Sequence, residues 1–206
     1  MKYWEQRASE NLNEVKTLNI SLGMGTLERK YLTKDISIPT DVTQLGPLPI
    51  SPIGTLPTEL NDWLNDSSLP PVIYVGFGTM IKGKLKFAKH IISAIRKLGF
   101  RVLWTSQEKP WPDIETSPDI RWESWVPQTK ILSHPKIELF ITHAGSGAIQ
   151  EALWFAKPTI CIPFLWDQHY NAWVAEKLNC GVIMQRSKIN ENCVMDCISK
   201  TQAKAN

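Results

Sequence analysis

The stretch ELFITHAGSG, Glu138–Gly147, passes from an apolar run directly into a histidine and a turn of small residues. Leu139, Phe140 and Ile141 are typical of a fully buried strand, and the following segment, AIQEALWFA, has apolar residues at helical spacing. The stretch therefore predicts a strand, a tight turn and the start of a helix. Unpaired backbone N–H groups and the positive end of the helix dipole meet at such a start, so this junction predicts an anion site, phosphate above all.

The composition indicates a globular protein with no sign of nucleic-acid or membrane binding. Its 206 residues are 43% hydrophobic, which is enough for a substantial core. The net charge of +3 comes from interspersed residues without a long basic run. No apolar run is long enough to span a bilayer, and the opening MKYWEQRASENLNEV is not typical of a signal peptide. The four cysteines form no Cys-x-x-Cys motif, so we expect reduced thiols and a cytoplasmic location.

Strand-like and helix-like segments alternate through most of the chain. Residues 1–45 are polar and weakly periodic, and the proline- and glycine-rich DVTQLGPLPISPIGTLP predicts a linker; we expect the main domain over 46–200 and a tail over 201–206. Within the domain, strands such as PPVIYVGFGT, RVLWTS and PTICIPF alternate with helices such as KLKFAKHIISAIRKLGF and QHYNAWVAEKL. This alternation predicts an α/β fold with a Rossmann-like parallel sheet flanked by helices, and ligands bind at the carboxyl ends of such strands.

A second strand end carries Gly76, Gly78 and Thr79. These residues form a small, hydroxyl-bearing turn that either approaches a phosphate or merely permits a tight turn. The overlapping GTMIKGKL resembles the P-loop pattern of NTP-binding proteins, but Leu85 stands where a serine or threonine would hold magnesium. GFGTMI begins a dinucleotide fingerprint and then lacks its third glycine. Both of these nucleotide-binding interpretations are therefore disfavoured.

Two further segments complete a recognisable set. WESWVPQTKIL contains Trp-x-Pro-Gln at Trp125–Gln128, and PFLWDQHYN contains Asp167-Gln168 directly after another predicted strand. With the His-x-Gly turn at His143–Gly145 and Glu151 in the following helix, the chain resembles the donor-binding C-terminal half of the UDP-glycosyltransferases, GT-B enzymes of the family 1 type. The resemblance covers Gly46 to about Lys200, and implies that residues 1–45 are a remnant of an N-terminal domain with the interdomain linker.

The resemblance assigns the nucleoside contacts of a UDP-sugar. Trp125 would stack on uracil, a contact that typically contributes about 1–3 kcal/mol, and the backbone of Val126 would read the edge of the base. Gln128 and Glu151 would hold the ribose hydroxyls. The alternatives are that Trp125 serves only packing and that Glu151 is a solvated charge on a helix.

The resemblance also assigns the diphosphate and sugar contacts. The expected diphosphate contacts are Gly78, Thr79, His143, Gly145, Ser146, Gly147 and Ala148. We expect small residues here because a larger side chain would keep the phosphate from the backbone. Gly147 and Ala148 stand where plant-type members have Asn and Ser. Asp167 and Gln168 would bind hydroxyls of the transferred sugar, and Asp167 could also cap its helix.

The implied reaction transfers a hexose, preferentially glucose, from a UDP-sugar to a hydroxyl of a small or lipophilic acceptor with inversion. We expect neither a metal nor a cofactor, because no Asp-x-Asp motif is present. The general base would be a histidine of an N-terminal acceptor-binding domain, supplied in cis or in trans. No residue here matches it, so we expect this chain to bind donor without transferring sugar. The alternatives are a non-catalytic nucleotide-sugar module, the donor subunit of a split transferase and, less favoured, a P-loop-like NTP-binding protein.

Overall fold

The computed structural model describes residues 19–21, 42–44, 49–79, 81, 85–108 and 117–205, with backbone alone for 19–21, 42–44 and 204–205. The chain divides into two compact units, Met1–Leu48 and Pro49–Asn206. In the first unit, strands β1 (Asn19–Ser21) and β2 (Val42–Gln44) pair in parallel. The weak periodicity of this region did not predict these strands, each of which has only three residues.

The second unit has the predicted alternation of strands and helices. Its described strands are β3 (Val72–Gly76), β4 (Arg101–Thr105), β5 (Ile120–Glu123), β6 (Ile137–Thr142), β7 (Thr159–Cys161) and β8 (Gly181–Ile183). Its described α-helices are α1 (Thr58–Asn65), α2 (Ala88–Lys97), α3 (Gln128–Leu132), α4 (Ser146–Trp154), α5 (Gln168–Lys177) and α6 (Glu191–Ala205), with a 3₁₀ turn at Arg186–Lys188. Helix α6 continues to Ala205 and so includes most of the segment 201–206 that we expect to be a tail.

The strands form one fully parallel sheet in the order β5-β4-β3-β6-β7-β8. Strands β4 and β5 are added on one side of β3, and the chain then crosses over to add β6, β7 and β8 on the other side. Gly76 of β3 lies opposite Thr142 of β6. The connections after these two strands therefore diverge from neighbouring strand ends, which is where ligands bind in open α/β sheets. The predicted Rossmann-like fold is confirmed.

Apolar residues cover both faces of the sheet. In β3, Ile73 and Val75 pack with one core cluster, which contains Ile91 and Ile95 of α2. Val72 and Tyr74 point to the other face and join a cluster that includes residues of α1, α3 and α4. This alternation of side chains along a strand places Tyr74 on the face of the sheet that carries α3 and α4.

No helix within the described residues is long and apolar enough to cross a membrane.

Candidate functional site

A cleft of about 550 Å³ opens at the carboxyl ends of β3, β4 and β6. Its lining comes from the turns after these strands, from residues 124–129 and from Glu151 of α4. The described residues that line it include no lysine or arginine. The residues predicted from the sequence that line this cleft are Gly78, Thr79, Trp125, Val126, Gln128, His143 and Glu151. The other predicted residues, Gly145, Ser146, Gly147, Ala148, Asp167 and Gln168, lie outside its lining.

Trp125 stands between β5 and α3 with 69% of its surface exposed, whereas the next residue, Val126, is 3% exposed and packs in the core. Pro127 then precedes the first residue of α3. The buried valine anchors the segment, and the indole remains uncovered beside the cleft. Because the Val126 side chain is committed to the core, only its backbone is available to a ligand.

Gln128 and Glu151 form a hydrogen-bonded pair at the cleft. The Gln128 Nε2 donates to Glu151 Oε2 at 2.8 Å, and the Gln128 Oε1 accepts from the hydroxyl of Tyr74 at 3.2 Å. The first residue of α3 and the middle of α4 are thereby connected through side chains. Glu151 is therefore not a charge on a solvated helix face, as one alternative held, but one end of a network that begins inside the sheet.

Two glycines make room for the His143 ring. A Cβ added at Gly78, where φ is +68°, would lie 2.8 Å from His143 Cε1, and a Cβ added at Gly145 would lie 2.6 Å from His143 Nε2. Gly147 has no atom within 4 Å of such a Cβ. The expectation that small residues serve the approach of phosphate is therefore incomplete, because Gly78 and Gly145 are first required by the imidazole.

The environment of His143 favours a neutral imidazole. Burial lowers the pKa of His143 below its ordinary 6.5, against the opposing effects of the Asp167 carboxylate and of a hydrogen bond to the Gly76 backbone. Nδ1 lies 3.4 Å from the Thr142 hydroxyl. In its neutral form His143 has a single N–H, so the Gly76 carbonyl and a bound anion would compete for the same donor.

Asn171 of α5 ties together two strand-end turns. Its Nδ2 donates to the Ala144 carbonyl at 3.0 Å and to Asp167 Oδ2 at 2.8 Å. Ala144 has a φ of +64°, a left-handed conformation that is uncommon for a residue with a side chain. The turn after β6 and the carboxylate at the start of α5 are thus held in one arrangement. Asp167 makes no capping hydrogen bond to its helix, so the capping alternative is wrong.

The Gln168 side chain is 5% exposed and supports the loop after β7. Its Oε1 accepts from the backbone N–H groups of Phe164 at 2.8 Å and Leu165 at 3.0 Å. The Nε2 group is what this side chain has left for a ligand. Directly before Asp167, Trp166 has a φ of +50° and is 71% exposed.

Sequence reasoning missed several residues of the cleft. Ile53 donates its backbone N–H to the Thr129 hydroxyl at 3.1 Å, and a Cβ at Gly54, where φ is +93°, would lie 2.8 Å from Pro127 Cβ. The segment predicted as a linker thus forms one wall of the cleft, and the glycine in SPIG was the available signal. Tyr74 and Thr105 lie within apolar strands and gave no such signal. The Thr105 hydroxyl is buried and makes no hydrogen bond within the described residues.

Comparison with known proteins agrees with the fold and the motifs. The family profile described as "UDP-glucoronosyl and UDP-glucosyl transferase" matches residues 1–201. The mouse UDP-glucuronosyltransferase 3A2 is 34% identical over 145 residues, or 68% of this chain and 28% of that protein. The UDP-glycosyltransferase UGT4 of Dactylopius coccus is 37% identical over 128 residues, or 61% of this chain and 25% of that protein.

Two solved GT-B glycosyltransferases share the architecture. A UDP-glucose:anthocyanidin 3-O-glucosyltransferase in complex with UDP has a TM-score of 0.65 and 25% identity, over 80% of this chain and 41% of that chain. The glycotransferase of kitacinnamycin has a TM-score of 0.66 and 22% identity, over 80% and 42% of the two chains, and this likeness concerns the fold alone.

The parallel sheet and its switch-point cleft define a Rossmann-like domain of the GT-B type. With the profile match over 1–201, the chain belongs to the UDP-glycosyltransferase family. This match begins at residue 1, so the likeness extends over residues 1–45, which lie outside the motifs from Gly46 to about Lys200. The chain spans about a quarter of the length of the curated relatives named above.

The two glycines beside the helix start predict different mutational effects. Gly145→Ala places a methyl group 2.6 Å from His143 Nε2 and is expected to destabilise the fold by about 1–3 kcal/mol while displacing the ring. Gly147→Ala, the matched control, enters open space in the first turn of α4 and is expected to leave stability unchanged or to raise it by up to about 1 kcal/mol. Urea unfolding measures the free energies, and the NMR shift of the His143 Cε1 proton reports displacement of the ring. Equal effects of the two substitutions would contradict this arrangement.

His143 also predicts a pH dependence of stability. Its pKa in the folded protein is lowered below the unfolded value of 6.5, so the unfolded chain binds more protons in that window. Its contribution to stability is present above about pH 6.5 and is lost as pH falls. Comparing unfolding free energies at about pH 7.5 and 5.5, we expect His143→Gln to weaken the dependence. His134, whose pKa burial also lowers, contributes to both proteins and cancels in the comparison. An unchanged or steeper dependence would refute the assignment.

Proposed function

We propose that this chain binds the UDP-sugar donor of an inverting hexosyltransferase, with UDP seated in the cleft at the β3–β6 switch point. The observation that carries the proposal is the placement of an exposed indole, a glutamine–glutamate pair and a neutral imidazole along one cleft. These groups match, in order, the flat base, the diol and the diphosphate of one ligand. Membership of the family supports the proposal.

The nucleoside would occupy the part of the cleft formed by residues 124–129 and α4. Uracil would stack on Trp125, whose exposed face has no other described role, and the backbone of Val126 would meet the base edge. Gln128 and Glu151 would bind the ribose hydroxyls, because the amide and the carboxylate lie together on the cleft.

The diphosphate would lie between the turns after β3 and β6. Gly78 and Thr79 line the cleft, as does His143, whose ring N–H would donate to the diphosphate. The N-terminus of α4, Gly145–Ala148, would add backbone N–H groups and the positive end of its dipole, although it lies outside the lining of the cleft. In the transfer step these groups would stabilise the charge that develops on the departing UDP, so we expect no requirement for a metal ion.

The sugar would lie near Asp167 and Gln168, beyond the diphosphate. The Asp167 carboxylate would accept hydrogen bonds from sugar hydroxyls and would repel a uronate. We therefore propose a neutral hexose, preferentially glucose, as the sugar. An acceptor hydroxyl would attack the anomeric carbon with inversion, and UDP would leave.

The general base and the acceptor site would come from an N-terminal domain in cis or in trans. His143 is assigned to the diphosphate and therefore does not serve as this base. A donor-binding module without catalysis, or the donor subunit of a split transferase, is the alternative consistent with the same cleft. The P-loop interpretation is less favoured because Leu85, at the position of the magnesium-binding hydroxyl, packs against the apolar core. Residues 80 and 82–84 of that motif lie outside the described residues. The cytoplasmic location remains a prediction from the cysteines.

Calorimetry with the 206-residue chain tests donor binding. We expect UDP to bind with and without EDTA, and Trp125→Ala to lose about 1–3 kcal/mol because one stacked base is lost. Trp154→Ala is the control: this tryptophan is 45% exposed on α4 and does not line the cleft, so affinity is expected to stay unchanged. Equal losses of UDP affinity in both variants would contradict the uracil site at Trp125. A large loss of affinity in EDTA would favour the P-loop alternative.

A comparison of two donor sugars tests the proposed sugar preference, and a transfer assay tests the assignment of the general base to another domain. We expect UDP-glucose to bind more tightly than UDP-glucuronate. Asp167→Asn should narrow this difference in affinity, because the repulsive carboxylate is lost.

Mass spectrometry after incubation with UDP-glucose and a panel of phenols and lipophilic alcohols should detect no glycoside from the chain alone. The reason is that positioning of the acceptor lowers the activation barrier by about 7–11 kcal/mol in favourable cases. Efficient glycoside formation by the isolated chain would contradict the assignment of the base to another domain.

A further inference from the structure

Tyr74 is a strand residue whose hydroxyl reaches the cleft. Its side chain is 2% exposed, and its ring stacks on Phe140 with a centroid separation of 4.7 Å and an interplanar angle of 10°. A Cβ at Gly76 would lie 3.0 Å from the Tyr74 hydroxyl, so the glycine leaves room for it. The ring is thus fixed by packing and delivers one polar atom to the cleft beside Gln128.

The hydrogen bonds of this network run in one direction. Burial raises the pKa of Tyr74 above its ordinary value, against an opposing effect of the Thr105 hydroxyl and with a smaller contribution in the same direction from Glu151, so the Tyr74 hydroxyl stays protonated and can donate. An ionised carboxylate can only accept, so Glu151 requires a donor from Gln128. The carboxylate therefore imposes the amide orientation, with Nε2 towards Glu151, and the Tyr74 hydroxyl holds Oε1 at the other end of the amide by donating to it.

This orientation decides what the pair offers to a ligand. Gln128 retains one N–H, and Glu151 retains acceptor positions, at adjacent points on the cleft wall. Two neighbouring hydroxyls satisfy both, one by donating to the carboxylate and the other by accepting from the amide. A ligand with only one hydroxyl leaves one of these polar groups without its partner, which is costly in a desolvated site.

We propose that Tyr74 is a positioning residue that orients the Gln128 amide for a vicinal diol and thereby makes the cleft prefer ribonucleotides over 2′-deoxyribonucleotides. Tyr74 acts through Gln128 and need not touch the ligand. The inference rests on the proposed function, because it takes UDP as the occupant of the cleft.

Tyr74→Phe removes the hydroxyl and keeps the ring stacked on Phe140. We expect the wild-type chain to bind UDP about 10-fold more tightly than 2′-deoxy-UDP, and Tyr74→Phe to weaken UDP binding about 5-fold and 2′-deoxy-UDP binding less than about 2-fold. Tyr170→Phe on α5, which lies outside the lining of the cleft, is the control and is expected to leave both affinities unchanged.

A double-mutant cycle separates positioning from a general effect on the fold. Gln128→Ala should itself reduce the preference for UDP over 2′-deoxy-UDP. In this background Tyr74→Phe should change neither affinity further, because Tyr74 acts on the ligand only through Gln128. Equal weakening of the two ligands by Tyr74→Phe, or an undiminished effect in the Gln128→Ala background, overturns the inference while UDP binding stands. Equal binding of the two ligands by the wild-type chain also overturns it. Failure of the wild-type chain to bind UDP overturns the proposed function and this inference together.

Discussion

The parallel pairing of β3 with β6 is the constraint on which the candidate site depends. Because Gly76 lies opposite Thr142, the turns after the two strands begin side by side, and the His143 ring enters the space beside Gly78. The same pairing allows the Tyr74 ring to stack on Phe140 inside the sheet. A shift in this register would therefore separate the His143 ring from Gly78 and the Tyr74 hydroxyl from Gln128, even if the sheet still buried apolar side chains on both faces.

The cleft combines apolar surface with oriented, mostly neutral donors. Its described lining contains no cation, and burial keeps His143 in its neutral form near pH 7. For a dianionic group such as a diphosphate, such a site relies on N–H groups and a helix dipole. These groups are held by the fold before a ligand arrives: Asn171 fixes both Ala144 and Asp167, and Tyr74 fixes Gln128. Pre-organisation of this kind lowers the cost of ordering side chains on binding.

The fold was predictable because apolar periodicity and glycine positions mark the strands and helices of the second unit. The cleft was predictable in part, since Trp125 and His143 follow strand ends, Gln128 starts a helix and Glu151 lies in the helix after the histidine turn. What could not be predicted depends on tertiary contacts. Gly145 serves the imidazole, and the cleft wall at Ile53 needs Thr129, a partner distant in sequence. Tyr74 is indistinguishable from a core residue until the neighbouring side chains are placed. The roles of Asp167 and Gln168 at a sugar remain predictions.

The central claim is that one cleft at the β3–β6 switch point holds UDP, and a crystal structure of the chain with UDP tests it most directly. We predict uracil over the Trp125 indole, the ribose against Gln128 and Glu151, and the diphosphate between Gly78 and the N-terminus of α4. UDP bound elsewhere, for example in the cavity of about 590 Å³ lined by β8 and α6, or a diphosphate remote from His143, would contradict the account.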